Sequence, residues 1–206
     1  MRIRNEPTVF VVDDDAAIRD AIRFLMRTAK LNVETFETAE EFLAQYRAAW
    51  PGCLVLDVRM PGMSGLDLHA ELQARNITLP VLIVTGHGDV PMAVRAMKAG
   101  VADFVEKPFN NDELLQKVKI CLQADADFRQ EQAQHSEADQ RIASLTPRER
   151  EVMDLLVQGK RNKVIAAQLG ISSRTVEAHR SKIMEKMNVT SLSEVVRIAL
   201  EGEASS

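Results

Sequence analysis

The chain has 206 residues, 46% hydrophobic and 27% charged, with a formal net charge of -4. That length suits two modest domains, each long enough to bury its own core. No apolar run reaches the eighteen or so residues of a membrane span, and "MRIRNEPTVF" shows no signal-type stretch, so a soluble, cytoplasmic protein is expected.

Two cysteines, Cys53 and Cys121, lie in apolar runs with no CxxC or Cys/His cluster, which favours buried free thiols over a disulfide or zinc site. Charge is uneven along the chain. Residues 1–124 hold 14 basic and 17 acidic residues, whereas between Lys160 and Lys186 seven basic residues face only Glu177 and Glu185. An acidic first part and a locally basic last part point to two different partners.

The first strand, "TVFVV", runs into Asp13, Asp14 and Asp15 before a helix near Ala16 to Lys30. Four further strands, "NVETF", "CLVLD", "PVLIVT" and "VADFVE", alternate with helices near Ala39 to Trp50, Gly65 to Arg75, Val90 to Ala99 and from Asp112 onward. Continuous apolar strands separated by helices predict a doubly wound α/β domain, a five-stranded parallel sheet covered on both faces. In such sheets, function collects outside the carboxyl ends of the strands.

One aspartate of the three suffices to cap the helix that follows. Three clustered carboxylates would raise one another's pKa values unless a cation were present, which favours a hard ion such as Mg²⁺. Asp57 ends the third strand, Thr85 the fourth, and Lys107 follows the fifth, before a proline able to take the cis form. Together they supply carboxylates for a divalent cation, one carboxylate free to act as nucleophile, and a hydroxyl and an amine for phosphate oxygens.

From Asp112 to Leu145 there is no Gly or Pro, and "QADADFRQEQAQHSEADQRIASL" reads as a solvated helical linker with only a broken heptad. "LTPRERE" then opens a small all-α module, with Thr146 and Glu149 as a capping box around Pro147. Helices are expected at Pro147 to Gln158, Asn162 to Leu169, Ser173 to Met187 and Leu192 to Glu201, the last behind a second capping box, Ser191 to Glu194. The expected division is 1–124, a linker over 125–144, and 145–206.

Within this module, "NKVIAAQLGISSRTVEAHRSKIMEKMNV" reads as helix, tight turn, helix. Ala166, Leu169, Ile171, Val176, Ile183 and Met187 are spaced as a core, which leaves Arg174, Glu177, Ala178 and Ser181 on one outward face. With the local basic excess, this favours a helix entering the major groove of double-stranded DNA. The four outward residues are candidates for base contact, and Lys163, Arg180, Lys182 and Lys186 for phosphates. His179 is expected to be packed or bonded to backbone. Glu177 departs from a purely cationic reader and is suited to accept from cytosine N4.

The motifs "VVDDD", "LVLDVRMPGMSG" and "VTGHGDVPMAVRAMKAGVADFVEKPF" resemble, in order and spacing, the receiver domain of two-component response regulators across roughly residues 6–124. Residues 145–200 look like the helix-turn-helix of the LuxR/NarL class. Together they most resemble the FixJ type. The resemblance implies a flavodoxin-like strand order of 2-1-3-4-5 and phosphoryl transfer from a sensor histidine kinase to Asp57. It further implies Mg²⁺ or Mn²⁺ on Asp14, Asp57 and the backbone carbonyl of Arg59, with Asp13 assisting, Lys107 on the phosphoryl oxygens, and Asp15, outside the metal pair, at the helix start. Thr85 would bond the phosphate, and Phe104 would turn into the space that Thr85 leaves. Phenylalanine here keeps the rotamer switch of the family's more common tyrosine but loses its hydroxyl. The implied output is a homodimer that binds promoter DNA and works with RNA polymerase, as a regulator rather than an enzyme.

A Mg²⁺-dependent phosphohydrolase would also place aspartates at strand ends, but the haloacid-dehalogenase pattern DxDx[TV] is replaced by Asp13-Asp14-Asp15-Ala16-Ala17, with no cap insertion. A constitutive DNA binder whose first domain only dimerises is disfavoured by the complete set Asp13, Asp14, Asp57, Thr85 and Lys107.

Overall fold

The computed structural model describes residues 6–86, 97–98 and 100–203. The helix expected over Val90 to Ala99 lies outside the described residues except for Met97 and Lys98, which are helical, and so does His87. The chain divides into two compact units, Met1–Phe128 and Arg129–Ser206.

In the first unit, strands β1 (Thr8–Val12), β2 (Asn32–Phe36), β3 (Gly52–Asp57), β4 (Val81–Thr85) and β5 (Asp103–Glu106) form one parallel sheet in the order β2-β1-β3-β4-β5. Alternation along the strands sorts their side chains between two cores. Val9, Val11, Cys53, Val55, Leu82 and Val84 join Ile22 and Met26 of α1 (Ala16–Thr28) and Leu114 and Val118 of α4 (Asn111–Ala143). Phe10, Val12, Leu54, Leu56, Val81 and Ile83 join Phe42 of α2 (Ala39–Gln45) and Leu68 and Leu72 of α3 (Gly65–Ala74). Helices on both faces explain why the three central strands are buried along their whole length. Both cysteines are buried free thiols; burial pushes Cys53 well above the ordinary thiol value and Cys121 up to about 11.

Helix α2 stops five residues short of the expected Trp50. Tyr46 takes an extended backbone (φ -62°, ψ 146°) and buries its ring 5.3 Å edge-on from Phe10 and 5.0 Å from Phe42. Arg47 covers the released helix end, its Nη1 donating to the carbonyls of Ala44, Gln45 and Tyr46. Aromatic burial and carbonyl capping together outweigh helical periodicity here.

Helix α4 continues without a break for 33 residues, about 50 Å at 1.5 Å per residue. The stretch expected as a solvated linker is solvated only in its middle. Asp125, at its start, is 2% exposed and bonded to the first unit, while Ala138 and Ile142, near its end, enter the core of the second.

That second unit packs helices α5 (Pro147–Val157), α6 (Asn162–Leu169), α7 (Ser173–Lys186) and α8 (Leu192–Glu203) against the end of α4. The Thr146–Glu149 capping box forms in both directions. At α8, Ser191 Oγ accepts the Glu194 amide at 3.3 Å, whereas the Glu194 carboxylate accepts from Thr190 at 2.9 Å, one residue upstream of a reciprocal box.

Candidate functional site

Register decides which strand ends meet. Val12 of β1 pairs with Leu56 of β3, so Asp13, just past β1, stands beside Asp57, the last residue of β3. β3 in turn neighbours β4, which ends in Thr85, and the Lys107 amide donates to the Thr85 carbonyl at 2.7 Å. The Lys107–Pro108 peptide is cis, the form the sequence allowed.

Lys107 then closes the site. Its Nζ donates to Asp13 Oδ2 and to Asp57 Oδ1, each at 2.7 Å, with the two carboxylates only 2% and 7% exposed. The other Asp57 oxygen accepts the Arg59 amide at 2.9 Å. Burial raises the Asp57 pKa, opposed in part by the hydrogen bond and charge of Lys107. For Lys107, burial disfavours the charge, but bonding to Asp13 and Asp57 outweighs it and lifts the pKa above the ordinary lysine value. Gly65 lets helix α3 press against this strand end, since a Cβ there would stand 2.1 Å from the Asp57 carbonyl oxygen.

Around this pair, Asp15 takes its expected cap role, accepting the Ala17 amide at 2.8 Å. Asp14 is exposed, and its side chain makes no hydrogen bond or ion pair among the described residues. Thr85 is 4% exposed, with its hydroxyl 3.5 Å from the Gly86 carbonyl. Phe104, opposite Ile83 in the β4–β5 register, is 38% exposed and so stands outward.

Among the described residues, no three carboxylate, histidine or cysteine side chains converge into a preformed metal cluster. The donor chemistry nevertheless fits Mg²⁺. The buried Asp13 and Asp57 carboxylates and the nearby exposed Asp14 offer hard oxygens, and Mg²⁺ needs only one or two carboxylates because it keeps several waters.

The structure also shows what linear reading missed. Arg19 Nη1 donates to the Asp13 carbonyl at 2.7 Å, while its Nη2 lies 3.8 Å from Glu37 Oε2. Glu40 Oε1 accepts the Met63 amide at 3.2 Å, bracing the loop after Asp57. Neither pair forms a motif in the sequence; an arginine at i+6 on the first turn of the helix was the only available signal.

In the second unit, Gly170 ends α6 in the left-handed region (φ 66°), and Ser172 caps α7 by accepting the Thr175 amide at 3.0 Å. Val176, Ile183 and Met187 are buried; Arg174, Glu177, Ala178 and Ser181 are all exposed on the opposite face. Lys163 and Lys182 are exposed as well. Two residues expected at the phosphates also have partners within the module. Arg180 donates to Asn162 at 2.8 Å, and Lys186 pairs with the buried Glu149 at 2.7 Å and the Ser144 carbonyl at 3.2 Å. A buried carboxylate needs a nearby cation, so Lys186 is drawn inward. His179 is partly buried, and its Nδ1 has no partner among the described residues, so it packs without bonding to backbone.

A parallel sheet with paired aspartates and a lysine at its carboxyl end, followed by a helix-turn-helix, defines a signal-receiving module joined to a DNA-binding one. Residues 9–119 match the response regulator receiver domain and residues 143–199 the bacterial regulatory proteins of the luxR family. The chain belongs to the two-component response regulators of this receiver and LuxR-type architecture.

It is 44% identical over 192 residues to the transcriptional regulatory protein FixJ of Bradyrhizobium diazoefficiens, covering 93% of this chain and 94% of that one. It is 41% identical over 190 residues to the response regulator protein TodT of Pseudomonas putida, covering 92% and 84%. Among solved structures, response regulator StyR superposes with a TM-score of 0.89 at 46% identity, covering 95% of this chain and 99% of that one. Full-length FixJ from B. japonicum gives 0.59 at 42% identity, covering 98% of each. The chain is thus a transcriptional regulator rather than an enzyme, and its two partner classes are a sensor kinase and DNA. No described helix is long and apolar enough to cross a membrane.

Proposed function

We propose that Asp57 is the phosphoacceptor of a phosphorylation-controlled transcription factor. The observation that carries this reading is the Lys107 ammonium, held 2.7 Å from both Asp13 and Asp57. It places one fixed positive charge beside a buried carboxylate whose Oδ2 is oriented by the Arg59 amide.

An Asp57 oxygen attacks the phosphorus of a kinase phosphohistidine in line; the P–O bond forms as the P–N bond breaks, and the imidazole leaves with the electron pair. Lys107 offsets charge gathering on the transferring oxygens. Asp14, Asp57 and the carbonyl of Arg59 would hold Mg²⁺ or Mn²⁺, with Asp13 assisting, and the ion would supply further neutralisation of the phosphoryl oxygens.

The product adds roughly 1.5 to 2 negative charges at the strand end, by analogy with phosphate monoesters. Thr85 turns its hydroxyl to the phosphate, and Phe104, now outward, fills the vacated space. That repacks the face around β5 and the start of α4 and favours a homodimer. Residues 1–124 form the receiver and 145–206 the DNA-binding domain, joined by the helical span 125–144. The dimer presents Arg174, Glu177, Ala178 and Ser181 to base edges, with Lys163, Arg180, Lys182 and Lys186 toward the phosphates. The protein acts in the cytoplasm and activates transcription with RNA polymerase.

The test is incubation with acetyl phosphate and Mg²⁺, followed by mass, oligomeric state and DNA affinity for wild type and Asp57→Ala. The expected result is one added phosphate, a shift to dimer and tighter DNA binding in wild type alone. A wild type that takes up no phosphate refutes the reading.

A further inference from the structure

Asp13 is held at every polar atom. Its amide donates to the Phe36 carbonyl at 3.3 Å, Oδ1 accepts the Asp15 amide at 2.9 Å, Oδ2 accepts Lys107 at 2.7 Å, and its carbonyl accepts Arg19 Nη1 at 2.7 Å. The first three partners are neighbours in the sheet or site. Arg19 is different, because it reaches back from α1 across the loop that carries Asp14.

Two bonds close that loop: Arg19 Nη1 to the Asp13 carbonyl, and the Arg19 amide to the Asp15 carbonyl at 3.0 Å. Asp14 sits inside the closed segment, exposed and with no side-chain partner of its own among the described residues. The main chain on either side of Asp14 is thus tied to Arg19, in addition to the bonds Asp13 makes to Phe36, Asp15 and Lys107.

The alternative role, a surface ion pair to Glu37, is weak. The separation is 3.8 Å, and Glu37 is 69% exposed while Arg19 is only 14% exposed, so solvent screens the pair. The shorter, better buried contact is the one to the Asp13 carbonyl.

We infer that Arg19 is a positioning residue for divalent-cation capture, acting through the carbonyls of Asp13 and Asp15 to fix the main-chain segment that carries Asp14 at the strand end beside Asp57. This rests on the metal assignment made above. Outer partners of metal ligands are worth about ten- to a hundredfold in affinity. Arg19 belongs at the lower end of that range, because it holds backbone rather than a ligand atom.

The experiment is calorimetric titration of the full chain with MgCl₂, with circular dichroism to verify folding. Arg19→Ala should raise the Mg²⁺ dissociation constant about tenfold, and the accompanying loss of acetyl phosphate reactivity should be recovered at higher Mg²⁺. Arg19→Lys, which keeps a donor of similar reach, should restore affinity to within about threefold of wild type. A folded Arg19→Ala that binds Mg²⁺ as wild type does overturns the inference; if that variant does not fold, Arg19→Gln is read by the same criterion. A wild type that binds no Mg²⁺ instead refutes the metal assignment itself, so the two failures are distinguishable.

Discussion

The Asp125 carboxylate accepts the amide of Gly52 at 2.8 Å, joining residues 73 positions apart. Gly52 opens the strand that ends in Asp57, and Asp125 lies on the helix that runs on to the second unit. Gly52 has no substitute there: φ is 154°, and a Cβ would stand 1.9 Å from the Thr8 carbonyl oxygen. Asp125→Ala strands a buried amide and should destabilise the first unit by about 2 kcal/mol, with Asp125→Asn, which keeps an acceptor oxygen, closer to wild type. Urea denaturation measures both; equal midpoints for Ala and wild type would show that the bond contributes nothing.

Lys107 faces two carboxylates, and its loss removes the ammonium that bonds both. Lys107→Ala should therefore lower the rate of phosphorylation by acetyl phosphate by about a hundredfold, the scale of losing one preorganised donor to a charged transition state. Mass spectrometry over time reads this, and a rate within threefold of wild type would remove Lys107 from the mechanism.

Glu149 should show itself in the acid limb of stability. Its hydrogen bond to Lys186, with that of the Thr146 amide, pushes its pKa down to about 2 from an ordinary 4.5. A depressed folded-state value means that the stabilisation is present above about pH 4.5 and fades as pH falls toward 2. Calorimetric melts should find Glu149→Gln less stable than wild type at pH 7, with the gap narrowing below pH 4.5. A gap independent of pH would refute the ion-pair account.

Glu177 is the acidic member of an otherwise cationic and neutral reading face. If it accepts from cytosine N4, selection of binding sites with Glu177→Ala should relax one base position while leaving the others, a discrimination of about 1–3 kcal/mol. An unchanged preference at every position would assign the residue to solvent.

The sheet was legible because its signals are local. Apolar runs closed by Asp13, Asp57 and Thr85, together with helical stretches between them, specify strand, strand end and order of elements. Caps were equally readable, since Asp15 and the Thr146–Glu149 box act within three residues. Tyr46 shows where this fails: its periodicity continued the helix, but its ring had a deeper site against Phe10 and Phe42.

The site was half legible. Asp13, Asp57 and Lys107 announced themselves as polar residues at strand ends, and the outward face of α7 followed from its 3.6-residue period. Asp125 was read as solvated, and the internal bonds of Arg180 and Lys186 went unseen, because the partners of these three, Gly52, Asn162 and Glu149, lie 73, 18 and 37 residues away. The sequence by itself determined which residues could ionise, cap or line a face, since those properties depend on neighbours a few positions off. Tertiary structure alone decided which charges remain available to a ligand: a buried carboxylate or amide claims whichever group packing brings near, whatever its distance along the chain.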